Sequence, residues 1–131
     1  MNILRVLAAA AFAAAALPAA AGDLFVVCQP GLTLGADEVR DVFLGDKQFA
    51  GPTKLVPVEN GALQADFQAR VLKVDAARYA SIWSKKGFRE GLTPPAVRGG
   101  DADVIAAVKA NPGTVGYVTK APPDLKVIQK Y

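Results

Sequence analysis

The chain has 131 residues, a net charge of +3, one cysteine and no histidine. The missing histidine excludes Ser-His and Cys-His nucleophile pairs and removes the commonest zinc ligand, and a single cysteine excludes an intramolecular disulfide. The mild positive excess is spread along the chain, which points away from a nucleic-acid footprint or a membrane-binding patch.

The first 21 residues have the zones of an export signal. Arg5 and the amino terminus supply the positive zone, and Val6 to Leu17 form an unbroken apolar run. Pro18 ends it, and Ala19-Ala20-Ala21 offers the small side chains that a signal peptidase accepts, with Gly22 as the mature start. The run is short and alanine-rich for a membrane anchor, which needs about 20 strongly apolar residues. No later stretch is apolar enough to cross a bilayer. The expected division is a signal peptide over 1–21 and a single domain over 22–131, working in the periplasm.

Leu24 to Cys28 is a continuous apolar run closed by Pro30-Gly31, the pattern of a strand covered on both faces. Cys28 inside it reads as a small buried hydrophobe. From Gly35 to Gly45, Val39, Val42 and Phe43 repeat at helical spacing, Asp37 and Glu38 suit the first turn, and Gly45 suits the position after the helix. Lys54 to Val58 reads as a second strand. Asn60-Gly61 then opens a helix carrying Leu63, Phe67, Val71 and Leu72 on one face.

Asp75 caps a third helix, with Tyr79, Ile82 and Trp83 on one side. A loop follows from Gly87 to Pro95. Asp101 caps a helix over Ala102 to Ala110 whose Val104, Ile105 and Val108 face inward, and Asn111-Pro112-Gly113 ends it. Thr114 to Val118 is an apolar strand in which Tyr117 is half-buried packing and Gly116 allows a close backbone approach. Leu125 to Ile128 is an edge strand. Strands separated by helices predict an α/β domain with a mainly parallel sheet flanked by helices.

Three segments resemble phosphate-type periplasmic binding proteins. Asp37 to Lys47 is similar to the family's helix ending in a Phe-x-Gly-Lys turn, and Leu55 to Glu59 followed by Phe67 resembles its next strand and helix. Arg98 to Val108, with Asn111-Pro112-Gly113-Thr114-Val115-Gly116-Tyr117-Val118, resembles the family's ending and is the most specific of the three. Their order and spacing agree with the family, but full members have two lobes and well over twice this length. The resemblance therefore implies a single periplasmic-binding-protein-like lobe, labelled in that family as a phosphate ABC transporter substrate-binding protein.

What the resemblance implies about function is a non-enzymatic protein that binds phosphate or a related oxyanion, without a cofactor or metal, for ABC-type uptake or sensing. An ABC permease or an envelope sensor protein would be its partner. The family's Arg, Ser and Thr after the second strand are missing here, where Glu59-Asn60-Gly61-Ala62 stands instead. Two candidate anion-binding segments remain: Asn60-Gly61, whose first explanation is a helix cap, and Arg98-Gly99-Gly100, whose first explanation is a flexible connector capped by Asp101. Lys85, Lys86 and Arg89 beside Trp83 and Phe88 read as a solvated helix end or a partner surface. Asp37, Glu38, Asp41, Asp101 and Asp103 all lie near helix starts, so no acid–base pair and no catalytic residue is expected. A different class of function is an interaction or regulatory module of the cell envelope, acting through a homodimer or a sensor or membrane partner.

Overall fold

The computed structural model describes residues 22–131; the expected signal peptide over 1–21 lies outside them. β1 (Phe25–Cys28) is followed by a 3₁₀ turn, Ala36–Glu38, running into α1 (Val39–Phe43). A small antiparallel hairpin comes next, β2 (Phe49–Ala50) with β3 (Thr53–Lys54). Then come β4 (Val56–Asn60), α2 (Gln64–Phe67) continued by a π turn over Gln68–Leu72, and α3 (Ala76–Glu90). β5 (Ala96–Arg98), α4 (Asp101–Ala110), β6 (Thr114–Val118) and β7 (Lys126–Lys130) complete the chain.

One five-stranded sheet, in the order β5-β4-β6-β1-β7, organises the domain. β4 pairs in parallel with β5 and with β6, whereas β1 pairs antiparallel with β6 and with β7. The α/β class and the flanking helices are as the sequence predicts, and the sheet divides into a parallel half and an antiparallel half. The carboxyl ends of β4, β5 and β6 therefore lie along one edge.

The period of two along each strand sorts side chains between two cores. Val26 and Cys28 of β1 and Val115 and Tyr117 of β6 join Phe43, Phe67, Leu72 and Trp83 under α1, α2 and α3. Val27, Val58 and Val118 turn the other way, onto Val104 and Val108 of α4. Phe67 stacks on Tyr117 at 3.9 Å between ring centroids, and Phe43 meets both rings edge-on. Gly116 is needed for the second core. A Cβ there would stand 2.5 Å from Val104 Cγ1, so the glycine admits the side chains of α4 rather than a neighbouring backbone.

Several boundaries differ from the sequence reading. Leu55 interrupts the expected strand over Lys54–Val58, and its N–H turns to the Gln48 carbonyl. β4 then runs on through Asn60, so the next helix starts at Gln64 rather than at Asn60-Gly61. Asp75 does cap α3, accepting from the Arg78 N–H at 2.8 Å. That helix continues through Gly87 to Glu90 and ends at Gly91, whose φ of +69° suits glycine. The expected loop thus loses its first residues to α3. β5, which the sequence reading did not anticipate, begins at Ala96 and takes in Arg98.

The expected edge strand is present as β7, with Lys126 and Lys130 at its ends. Among the described residues, no helix is long and apolar enough to cross a membrane.

Candidate functional site at the carboxyl edge of the parallel strands

The residues expected to bind an anion do come together. In the parallel register of β4 and β5, Asn60 stands opposite Arg98, and the Gly61 N–H donates to the Arg98 carbonyl at 2.8 Å. Gly99 and Gly100 follow directly and lead into α4. Thr119, just past β6, lies on the far side of Asn60, because β4 sits between β5 and β6.

The polar groups there are largely committed to one another. Asn60 is fully buried; its amide donates to Asp101 Oδ1 at 2.9 Å and to the Tyr117 carbonyl at 3.2 Å. Its side-chain oxygen accepts from the Ala62 N–H at 3.1 Å. Asp101 does not cap α4 as expected, for Gly100 occupies the cap position and makes no side-chain bond. The Asp101 carboxylate instead accepts from the Thr119 N–H and, at 2.6 Å, from its hydroxyl. An Asn–Asp–Thr knot thus ties the ends of β4 and β6 to the start of α4.

What faces solvent is Arg98 with Gly99, while Gly100 is half-buried. Arg98 forms no ion pair among the described residues. Asp103 is close, since a Cβ on Gly99 would lie 3.2 Å from its Oδ2. Of the five anticipated residues, Arg98 and Gly99 remain open to a ligand, and Asn60 and Gly61 have their donors occupied within the protein.

Glu59, which the sequence places where an anion would sit, turns away from this edge. It is 1% exposed and lies in the aromatic core. Tyr79 Oη donates to its Oε2 at 2.5 Å, Tyr117 Oη to its Oε1 at 3.0 Å, and Gln64 Nε2 to Oε2 at 3.3 Å. Burial raises the Glu59 carboxyl above the ordinary glutamate range, opposed by those three donors. Tyr79 and Tyr117 are both raised well above ordinary tyrosine, by burial first and by Glu59 next. Tyr117 is therefore a fully buried hydrogen-bond donor and not the half-buried packing residue expected. The signal available in the sequence was one carboxylate directly after the apolar run Leu55 to Val58.

The basic cluster on α3 is partly spent. Lys86 bonds to Asp46 and lies 3.9 Å from Glu90, and Trp83 belongs to the core, its indole donating to the Phe43 carbonyl at 3.2 Å. Phe88 projects outward, 91% exposed. Cys28 is buried, and burial pushes its thiol up. Among the described residues, no group of three or more His, Cys, Asp or Glu could hold a metal ion.

No family model and no curated protein matches the chain. Among solved structures it is similar to an ABC-type phosphate transport receptor from Vibrio cholerae, with 15% identity and a TM-score of 0.48. That match covers 81% of this chain and 45% of the receptor. It is also similar to a protein from Clostridium perfringens, crystallised with bound phosphate and described as a phosphate ABC transporter substrate-binding protein. Identity there is 11% and the TM-score 0.49, covering 81% of this chain and 44% of the other. The chain spans less than half the length of either structure.

Proposed function

We propose that the chain is an exported, non-enzymatic, solute-binding-like domain that takes a small oxyanion, phosphate or a relative, at the open carboxyl edge of its parallel strands. The position of Arg98 carries this reading: an exposed cation at the end of β5, beside β4, followed by two glycines that enter α4. In open α/β sheets, the crevice outside the carboxyl ends of the strands is where ligands bind. Glycines let an anion approach the backbone closely, and the first turn of a helix favours negative charge. Asp101 is turned onto Thr119, but Asp103 stands beside Gly99. The contact is accordingly weak and exchangeable, not a dehydrated capture. Export rests on the zones of residues 1–21. Uptake or sensing through an ABC permease or an envelope sensor is the role that follows.

Isothermal titration of the purified protein with phosphate and with sulfate tests the proposal. Saturable binding that Arg98→Ala weakens supports it. No binding of either anion, with a homodimer seen by light scattering, overturns it in favour of the interaction module.

A further inference from the structure

A second concavity lies away from that edge, between the β2–β3 hairpin, the turn after α1 and the turn after α3. It encloses about 270 Å³, near the lower end of the size range for ligand sites. Two glycines border it. Gly45 and Gly91 adopt φ of +80° and +69°, where other side chains are strained. A Cβ on Gly45 would strike the Trp83 ring at 2.8 Å, whereas nothing lies within 4 Å of one on Gly91.

Trp83 forms the floor. Its N–H is already given to the Phe43 carbonyl, so carbon surface is what the indole offers the cleft. Leu55 adds an apolar wall, and Gln48, Thr93 and Lys54 contribute polar groups. No residue lining the cleft is acidic. Lys47 also lines it but is bound to Glu38 at 3.1 Å, whereas Lys54 forms no ion pair among the described residues.

We propose that this cleft binds a small organic carboxylate with a flat apolar body. The body lies against Trp83 and Leu55, and the carboxylate meets the Lys54 ammonium, with Gln48 or Thr93 as a second donor. An inorganic oxyanion would leave the aromatic floor unused, and a neutral ring would leave the ammonium without its counter-charge. Polar and apolar groups share the lining almost evenly, and Trp83 shows the cleft only a small part of its ring, being 6% exposed.

Trp83 is the chain's single tryptophan, so its fluorescence reports on the floor directly. Benzoate, benzyl alcohol and inorganic phosphate are the probes. A saturable fluorescence change is expected with benzoate, with benzyl alcohol binding about tenfold more weakly, the scale of one charge-assisted hydrogen bond. Phosphate is expected to leave the emission unchanged. Lys54→Gln, an exposed substitution, is expected to weaken benzoate about tenfold and leave benzyl alcohol unaffected. No saturable response to benzoate overturns the proposal. So does equal affinity for benzoate and benzyl alcohol, or a Lys54→Gln protein that unfolds at the same denaturant midpoint and binds benzoate as tightly as before.

Discussion

The Tyr79 hydroxyl on α3 donates to Oε2 of Glu59 on β4 at 2.5 Å, inside the larger of the two cores. A second phenol, Tyr117 of β6, reaches the other carboxyl oxygen. With Gln64 of α2 also donating to it, one carboxyl group links two helices and two strands within a largely apolar core.

Glu59 makes stability depend on pH in a definite direction. Its carboxyl is raised in the folded protein, so the folded state holds the proton more tightly than the unfolded chain. That contribution is fully present below the unfolded glutamate value and is lost as pH rises through the raised folded value. Denaturant unfolding of the protein and of Glu59→Gln, stepped upward from about pH 4, is expected to give a stability difference that shifts against the glutamate form over this window. A difference that does not change with pH contradicts the assignment.

The two phenols are expected to act as a unit. Tyr79→Phe and Tyr117→Phe should each cost about 1–3 kcal/mol, the range for leaving a buried polar group short of a partner. The double variant should cost less than the sum, because both hydroxyls serve one carboxyl. Urea denaturation of the three variants beside the parent protein completes the cycle.

Alkaline titration reads the same cluster from the other side. Burial and Glu59 raise Tyr79 and Tyr117, and burial raises Tyr131, the third and last tyrosine. Phenolate absorbance should be suppressed in the folded protein at about pH 10 and appear on unfolding in denaturant.

Asn60 and Arg98 stand opposite each other and are expected to separate cleanly. Asn60→Ala removes bonds to Asp101, Tyr117 and Ala62 and should lower stability by about 1–3 kcal/mol. Arg98→Ala, at an exposed position, should change stability by no more than about 0.5 kcal/mol while weakening anion binding. Thermal unfolding paired with titration calorimetry checks both halves.

Gly116→Ala should destabilise by about 1–3 kcal/mol, since the new Cβ meets Val104 and Val58 within the second core. Loss of stability without loss of the α/β fold, seen by denaturation and far-ultraviolet dichroism, is the expected result.

The elements legible from sequence are those whose signals are local. Asp75 caps α3 because a short carboxylate before a helical run reaches a first-turn N–H whatever lies beyond it. Gly45 turns with a positive φ after α1 for an equally local reason. Val104 and Val108 face the core as their spacing requires. β5 was missed because Ala96–Arg98 has all three side chains exposed and no alternation to read; its pairing with β4 makes it a strand. Asn60 and Asp101 both read as helix caps. Asn60 keeps one local bond, from the Ala62 N–H, but gives its amide to Asp101 and Tyr117. Asp101 spends its carboxylate on Asn60 and Thr119.

From the sequence by itself came the absence of histidine chemistry and of an intramolecular disulfide, the α/β class, and the segments that mark the carboxyl edge. These follow from composition, period and capping, which operate within a few residues of chain. Only the tertiary structure decided that Glu59 turns from the carboxyl edge into the core, that Asn60 and Gly61 spend their donors internally, and that Lys54 and Trp83 line one cleft. Each of those outcomes depends on groups far apart in the chain, brought together by strand register and the packing of helices on the sheet.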